Sequence, residues 1–309
     1  MKKICLYMFL FTVIFSMGCT KKEETAEKVK ETNSVDMAYE INMKRDLLTL
    51  MMAYPEYITD VEMTSDDKVY VIMKSGNKIL YDDKQKKNYS AKLNNPDLQD
   101  MLEEIYPLSH VDEIMEKNFD PGRIRVYALL KEVYGNSKIG VEKNLVSAKG
   151  VRFNKNNRAA ENIKNVMNEL LPLAKSNGKI GACVYPMSGT FCYRVISGTG
   201  RLSPHSFGIA IDLARDNRDY WKWASKEAGA KRLKSYPQEI VNIFEKNYFI
   251  WGGKWNHFDI LHFEYRPEFI IKSKYFSKNI GLDEKWYSNV NINDEYIKKC
   301  IDLIEEKIK

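Results

Sequence analysis

Residues Ser203–Asp212 read SPHSFGIAID, and residues Trp251–Glu264 read WGGKWNHFDILHFE. Together they hold three of the chain's four histidines. His205 and Asp212 lie seven positions apart, Asp259 and His262 three apart, and Glu264 follows two further on. Two imidazoles and a carboxylate are a common catalytic zinc set, because three protein ligands leave the fourth tetrahedral position for water. A second carboxylate near that water can act as its general base. On this reading His205, Asp212 and His262 are the ligands and Asp259 is the base.

The residues around them carry strand periodicity. Ile209, Ile211 and Leu213 alternate with Ala210 and Asp212, which predicts a half-buried strand presenting Asp212 on the face opposite the isoleucines. Ile260, His262 and Glu264 also alternate, so His262 and Glu264 should share a face. Asp259 is out of phase with His262. It can approach the metal only where that strand bends or begins, and Gly252-Gly253 marks irregular backbone nearby.

The pattern S-x-H-x-x-G-x-A-x-D, then W-G-G-x-W and D-x-x-H-F-E, resembles the zinc D-alanyl-D-alanine carboxypeptidase and L-alanyl-D-glutamate endopeptidase family, the VanY-like and endolysin-like peptidases of M15 type. The run Thr190 to Glu268 carries the resemblance. It implies an α+β fold of hedgehog or DD-peptidase kind, a small antiparallel sheet with flanking helices carrying a zinc site. It implies Zn2+ on His205, Asp212 and His262, and Asp259 as base. It also implies a catalytic arginine upstream of the first histidine, matched by Arg194, with Arg201 as the nearer alternative. The implied activity is that of a zinc metallopeptidase cutting bonds next to D-amino acids in peptidoglycan stem peptides, as carboxypeptidase or endopeptidase.

Other residues near the two motifs have two readings each. Glu264 orients a ligand imidazole from behind or forms an ion pair. His257 contacts substrate or sits on the rim. Trp251 and Trp255 wall the cleft or pack. Gly208 permits close backbone approach near the metal, and Ser203 is a local hydrogen-bonding or capping residue. The competing functional class is a non-catalytic zinc-containing surface lipoprotein that binds cell-wall peptides, although the presence of Asp259 favours catalysis. A structural zinc site in an adhesin is disfavoured, since such sites are usually cysteine-rich and closed.

Lys2 and Lys3 precede an apolar run from Ile4 to Phe15 and then Ser-Met-Gly-Cys19. That run is too short for a spanning helix of roughly 20 residues and reads as a signal peptide over residues 1–18. Lipidation at Cys19 would make the product an exported, membrane-anchored lipoprotein on the cell envelope; an ordinary secretory signal with an incidental cysteine is the alternative. The net charge of +6 falls to +4 once Lys2 and Lys3 are removed, a mild excess that demands no nucleic acid. At 44% apolar and 29% charged, the composition is that of a folded globular chain.

Five segments follow: the signal peptide, a charged tether at 19–36, an N-terminal α+β region at 37–140, the zinc peptidase core at 141–272 and a helical extension at 273–309. A helix is expected over Met37–Met63, a β-hairpin over Lys68–Asp83, and a short helix over Pro96–Tyr106 with Asp97 in its first turn. Asp120-Pro121-Gly122 marks a break before a helix over Ile124–Tyr134. Ile163, Val166, Met167, Leu170 and Leu171 give Arg158–Leu173 the spacing of an amphipathic helix covering the catalytic sheet. A strand or hairpin over Ile180–Val195 would carry Arg194 to the site. It would set Cys183 opposite Cys192, where a disulfide suits an exported protein. Pro237–Tyr248 reads as a helix with proline at its start.

Overall fold

The structure is a computed structural model and describes residues 20–278 and 284–308, with side chains from residue 36. The signal peptide and Cys19 lie outside the described residues. The chain divides into two units, Met1–Asn42 and Met43–Lys309.

Helix α1 runs Thr20–Ala53, so the segment expected as a loose tether is helical from Thr20 onward. It ends where Pro55 disfavours helical backbone at Tyr54. The expectation of helix as far as Met63 is therefore corrected. Ile58–Met63 is strand β1, paired antiparallel to β2 (Val69–Met73). The expected hairpin forms between β2 and β3 (Lys78–Leu80), turning at Gly76, whose φ of +89° suits glycine. Two short helices follow, α2 (Tyr89–Asn94) and α3 (Leu98–Leu102). Asp97 is the N-cap of α3, one step before its first turn, in a reciprocal capping box with Asp100.

Helices α4 (Tyr127–Tyr134) and α5 (Lys138–Glu142) lead into a hairpin, β4 (Leu145–Ala148) with β5 (Val151–Asn154). Helix α6 (Ala159–Ser176) buries Ile163, Val166, Met167 and Leu170 as its periodicity requires. It packs on the β4–β5 hairpin. It reaches strand residue Tyr265 through Asn162 Nδ2, which lies 3.2 Å from the Tyr265 hydroxyl.

The strand expected over Ile180–Val195 is not formed. Gly178–Val184 is helix α7, because Asn177 caps it by accepting from the backbone N–H groups of Lys179 and Ile180. Cys183 is therefore buried on a helix while Cys192 is exposed in the following loop, and both are free thiols. The hairpin that would have bridged them is absent.

Strand β6 (Ala210–Asp212), helices α8 (Lys226–Ser235) and α9 (Gln238–Lys246), and strands β7 (Phe249–Trp251) and β8 (His262–Tyr265) follow. The three strands form an antiparallel sheet in the order β6-β8-β7. Phe244 of α9 stacks on Phe263 of β8 with ring centroids 3.8 Å apart, and Phe249 meets Phe244 edge-on. This apolar face of the sheet is fully buried and fixes its register, since a one-residue slip would turn every side chain to the other face. Helices α10 (Pro267–Phe276) and α11 (Glu295–Lys307) complete the chain, α11 packing on β1. The architecture is the expected α+β class, small antiparallel sheets flanked by helices. No described helix is long and apolar enough to cross a membrane.

Candidate metal centre

Asp212 and His262 are direct partners in the β6–β8 ladder, which puts their side chains side by side. His205 comes from the 3-10 turn Pro204–Phe207 just before β6. That turn ends at Gly208 with φ +68°. A Cβ there would press on Leu145 and lie 3.2 Å from the Asn154 backbone nitrogen. The close approach that glycine permits is thus to the β4–β5 hairpin, whose Asn154 N–H donates to the Gly208 carbonyl at 2.9 Å.

One atom from each of His205, Asp212 and His262 lies within 4.8 Å of the others. His205 Nε2 is 3.3 Å and His262 Nδ1 is 2.8 Å from Asp212 Oδ1. A tetrahedral ion with bonds near 2.0–2.1 Å separates its ligands by roughly 3.3 Å, so this donor set fits Zn2+ with small adjustment.

Both imidazoles are held from behind. His205 Nδ1 donates to the Thr190 carbonyl at 2.5 Å, which leaves Nε2 facing Asp212. His262 Nε2 is 3.7 Å from Glu264 Oε2, which leaves Nδ1 facing Asp212. Glu264 is gripped in turn by Arg125, through Nε at 3.0 Å and Nη2 at 2.6 Å, and by Arg266 at 3.1 Å. The two readings of Glu264 coincide: it stands behind a ligand and it is ion-paired.

The intrinsic proton affinities of the cluster's side chains follow from these contacts. Burial pushes the Asp212 carboxyl up, but His205 and His262 beside it outweigh that and hold it below the usual carboxylate range. Burial alone would lower His262, yet the carboxylates of Asp212 and Glu264 raise it to about 10. Burial raises Asp259 to about 7, with His262 opposing and Asp212 adding to the rise. Asp259 sits in the turn before β8: its N–H donates to Gly252 O at 2.9 Å, and its carbonyl accepts from His262 N–H at 3.1 Å. The strand begins at His262, which resolves the phase conflict.

Arg194 is exposed and its side chain makes no hydrogen bond among the described residues, although its backbone is pinned to the His205 turn through the Ser206 hydroxyl. Arg201 points elsewhere, donating to the Leu93 carbonyl at 2.7 Å. Ser203 makes no capping bond with its side chain; Ser206 does the local bonding. Trp251 is not a cleft wall. It is buried, donates to the Ile260 carbonyl and stacks on Tyr236. Trp255 does flank the centre, its ring 5.8 Å from that of His262, and its indole donates to the Pro121 carbonyl.

His257 is fixed from outside the two motifs. Its Nδ1 donates to Asp120 Oδ2 at 2.6 Å and its backbone N–H to Oδ1 at 2.9 Å. The Tyr89 hydroxyl bonds the same carboxylate, and Tyr89 stacks on His257. Asp120, Arg123 and Arg125 were missed by sequence reasoning, which saw only a helix break in DPGRIR. The one available signal was the charge density of that turn.

No curated protein and no solved structure matches this chain. The matching family model is described as D-alanyl-D-alanine carboxypeptidase and covers residues 197–265. That span includes His205, Asp212, Asp259, His262 and Glu264 but not Arg194, Asp120, Arg123 or Arg125. The resemblance read from the two motifs is thereby borne out: residues 197–265 match the D-alanyl-D-alanine carboxypeptidase family model of M15 type.

Proposed function

We propose that this chain is a zinc metallopeptidase that hydrolyses bonds next to D-amino acids in peptidoglycan stem peptides, exported and held on the envelope through a lipid at Cys19. The observation that carries it is the convergence of His205, Asp212 and His262 inside the family-matched residues, with Asp259 close enough to interact electrostatically with Asp212 and His262. The match supports peptidase action on peptidoglycan in general; zinc, export and the bond cut are part of the proposal.

Zinc bound by the three donors would acidify a water and polarise the substrate carbonyl. Asp259 is the carboxylate that would accept the water's proton and pass it to the leaving amine. Arg194 stabilises the oxyanion, an interaction whose loss costs on the order of 100–1000-fold in rate. Glu264 and the Thr190 carbonyl keep the imidazoles aimed.

The test is a digest of purified muropeptides by the zinc-loaded protein, read by mass spectrometry with a chelated control. Chelator-sensitive loss of terminal alanine, or release of stem fragments, supports the proposal. One equivalent of zinc bound with no cleavage sinks it and favours the peptide-binding lipoprotein.

A further inference from the structure

Recognition of a terminal carboxylate is what separates a carboxypeptidase from an endopeptidase, and a guanidinium near the scissile bond can supply it. Arg123 stands in the Asp120–Arg123 turn, outside the family-matched residues. Its guanidinium lies 6.0 Å from the centre of the Trp255 ring, and that ring is 5.8 Å from His262. Its side chain is only partly exposed, at 21%. Among the described residues its guanidinium donates no hydrogen bond, and Nη1 is buried without an acceptor.

The ion-pair partner of Arg123 is Asp120, 3.6 Å from Nη1 and too far for a hydrogen bond, a carboxylate that already accepts from His257 N, His257 Nδ1 and the Tyr89 hydroxyl. A guanidinium with a buried Nη1 and no hydrogen-bond acceptor, one ring away from His262, is placed to meet a ligand with acceptor oxygens. Arg123 is also close enough to act electrostatically on Asp259, the proposed base.

We propose that Arg123 binds the free C-terminal carboxylate of the substrate and so makes the chain a carboxypeptidase. This rests on the peptidase reading above. A guanidinium fork matches a carboxylate in two parallel bonds.

The experiment compares one stem peptide ending in D-Ala-D-Ala as the free acid and as the C-terminal amide, using the full zinc-loaded chain. The wild type should cut the acid with a kcat/KM at least about tenfold above the amide. Arg123→Gln should shrink that ratio by about 10–100-fold, mainly through KM, as expected for loss of a charged hydrogen bond. Binding to the Asp259→Asn variant gives a readout without turnover: adding Arg123→Gln should weaken the acid and spare the amide. If Arg123→Gln fails to fold, Arg123→Lys, which lacks the fork, must shift the ratio in the same direction. An unchanged ratio overturns the inference. So does a wild type that cuts inside the stem regardless of the terminal group, though the peptidase reading then survives. No cleavage of either peptide defeats both.

Discussion

Arg125 holds Glu264 in a fork, Nε to Oε1 at 3.0 Å and Nη2 to Oε2 at 2.6 Å, and neither side chain reaches water to any extent. Glu264 stands behind His262, so a residue far from the motifs sets the aim of a ligand. Removing one partner of a buried ion pair leaves an uncompensated charge. Arg125→Met should cost about 3 kcal/mol or more in stability, visible as a lowered Tm. It should also weaken zinc binding by about 10–100-fold, measured by competition with a chelating dye. Unaltered metal affinity would show that Glu264 acts only in packing.

The ligand and base roles separate by metal content. Asp259→Asn should retain one equivalent of zinc and lose about 100–10,000-fold in kcat. His262→Ala should lose metal and activity together. Metal analysis beside turnover distinguishes them, and an active Asp259→Asn enzyme would remove that residue from the base role.

Glu104 gives a pH signature away from the metal. Burial raises its carboxyl to about 7, while the Asp120 N–H it accepts at 2.8 Å pulls the other way. An acid with a raised folded-state pKa binds more protons folded than unfolded between about 4.5 and about 7. Its contribution to stability is complete below about 4.5 and fades as the pH climbs through about 7. Glu104→Gln, which keeps an acceptor, should leave Tm unchanged near pH 4 and raise it near pH 8. Melts at both values decide it, and equal shifts would place the cause elsewhere.

The cysteines make a simple prediction. Cys192 is exposed, whereas Cys183 and Cys300 are buried, and none is bridged. A thiol reagent should titrate Cys192 in the native protein and the other two only after denaturation. Loss of both Cys183 and Cys192 from the denatured count would establish the bridge that the fold argues against.

What could be read from the sequence was what is local. His205 and Asp212 are set by one turn and one strand, and His262 and Glu264 by two-residue alternation. Asp259 was legible as a phase conflict, which the late start of β8 settles. Helix α7 was not legible, because one asparagine cap outweighs the strand preference of a short apolar run. Asp120, Arg123 and Arg125 were not legible because their partners are remote: Arg125 and Glu264 are 139 positions apart. Pairings of that range leave no periodicity to detect.

The Asp120–Arg125 turn also sets a lower limit on what can be transplanted. Asp120 anchors His257, the Pro121 carbonyl receives Trp255, and the Gly122 carbonyl receives Arg266. A gene fragment trimmed to the family-matched residues would carry every ligand yet strip the backing from His257 and Trp255 and lose Arg266 itself. The smallest portable unit of this chain begins well upstream of its motifs, and fusions or expression boundaries placed between residues 125 and 197 would separate the donors from their frame.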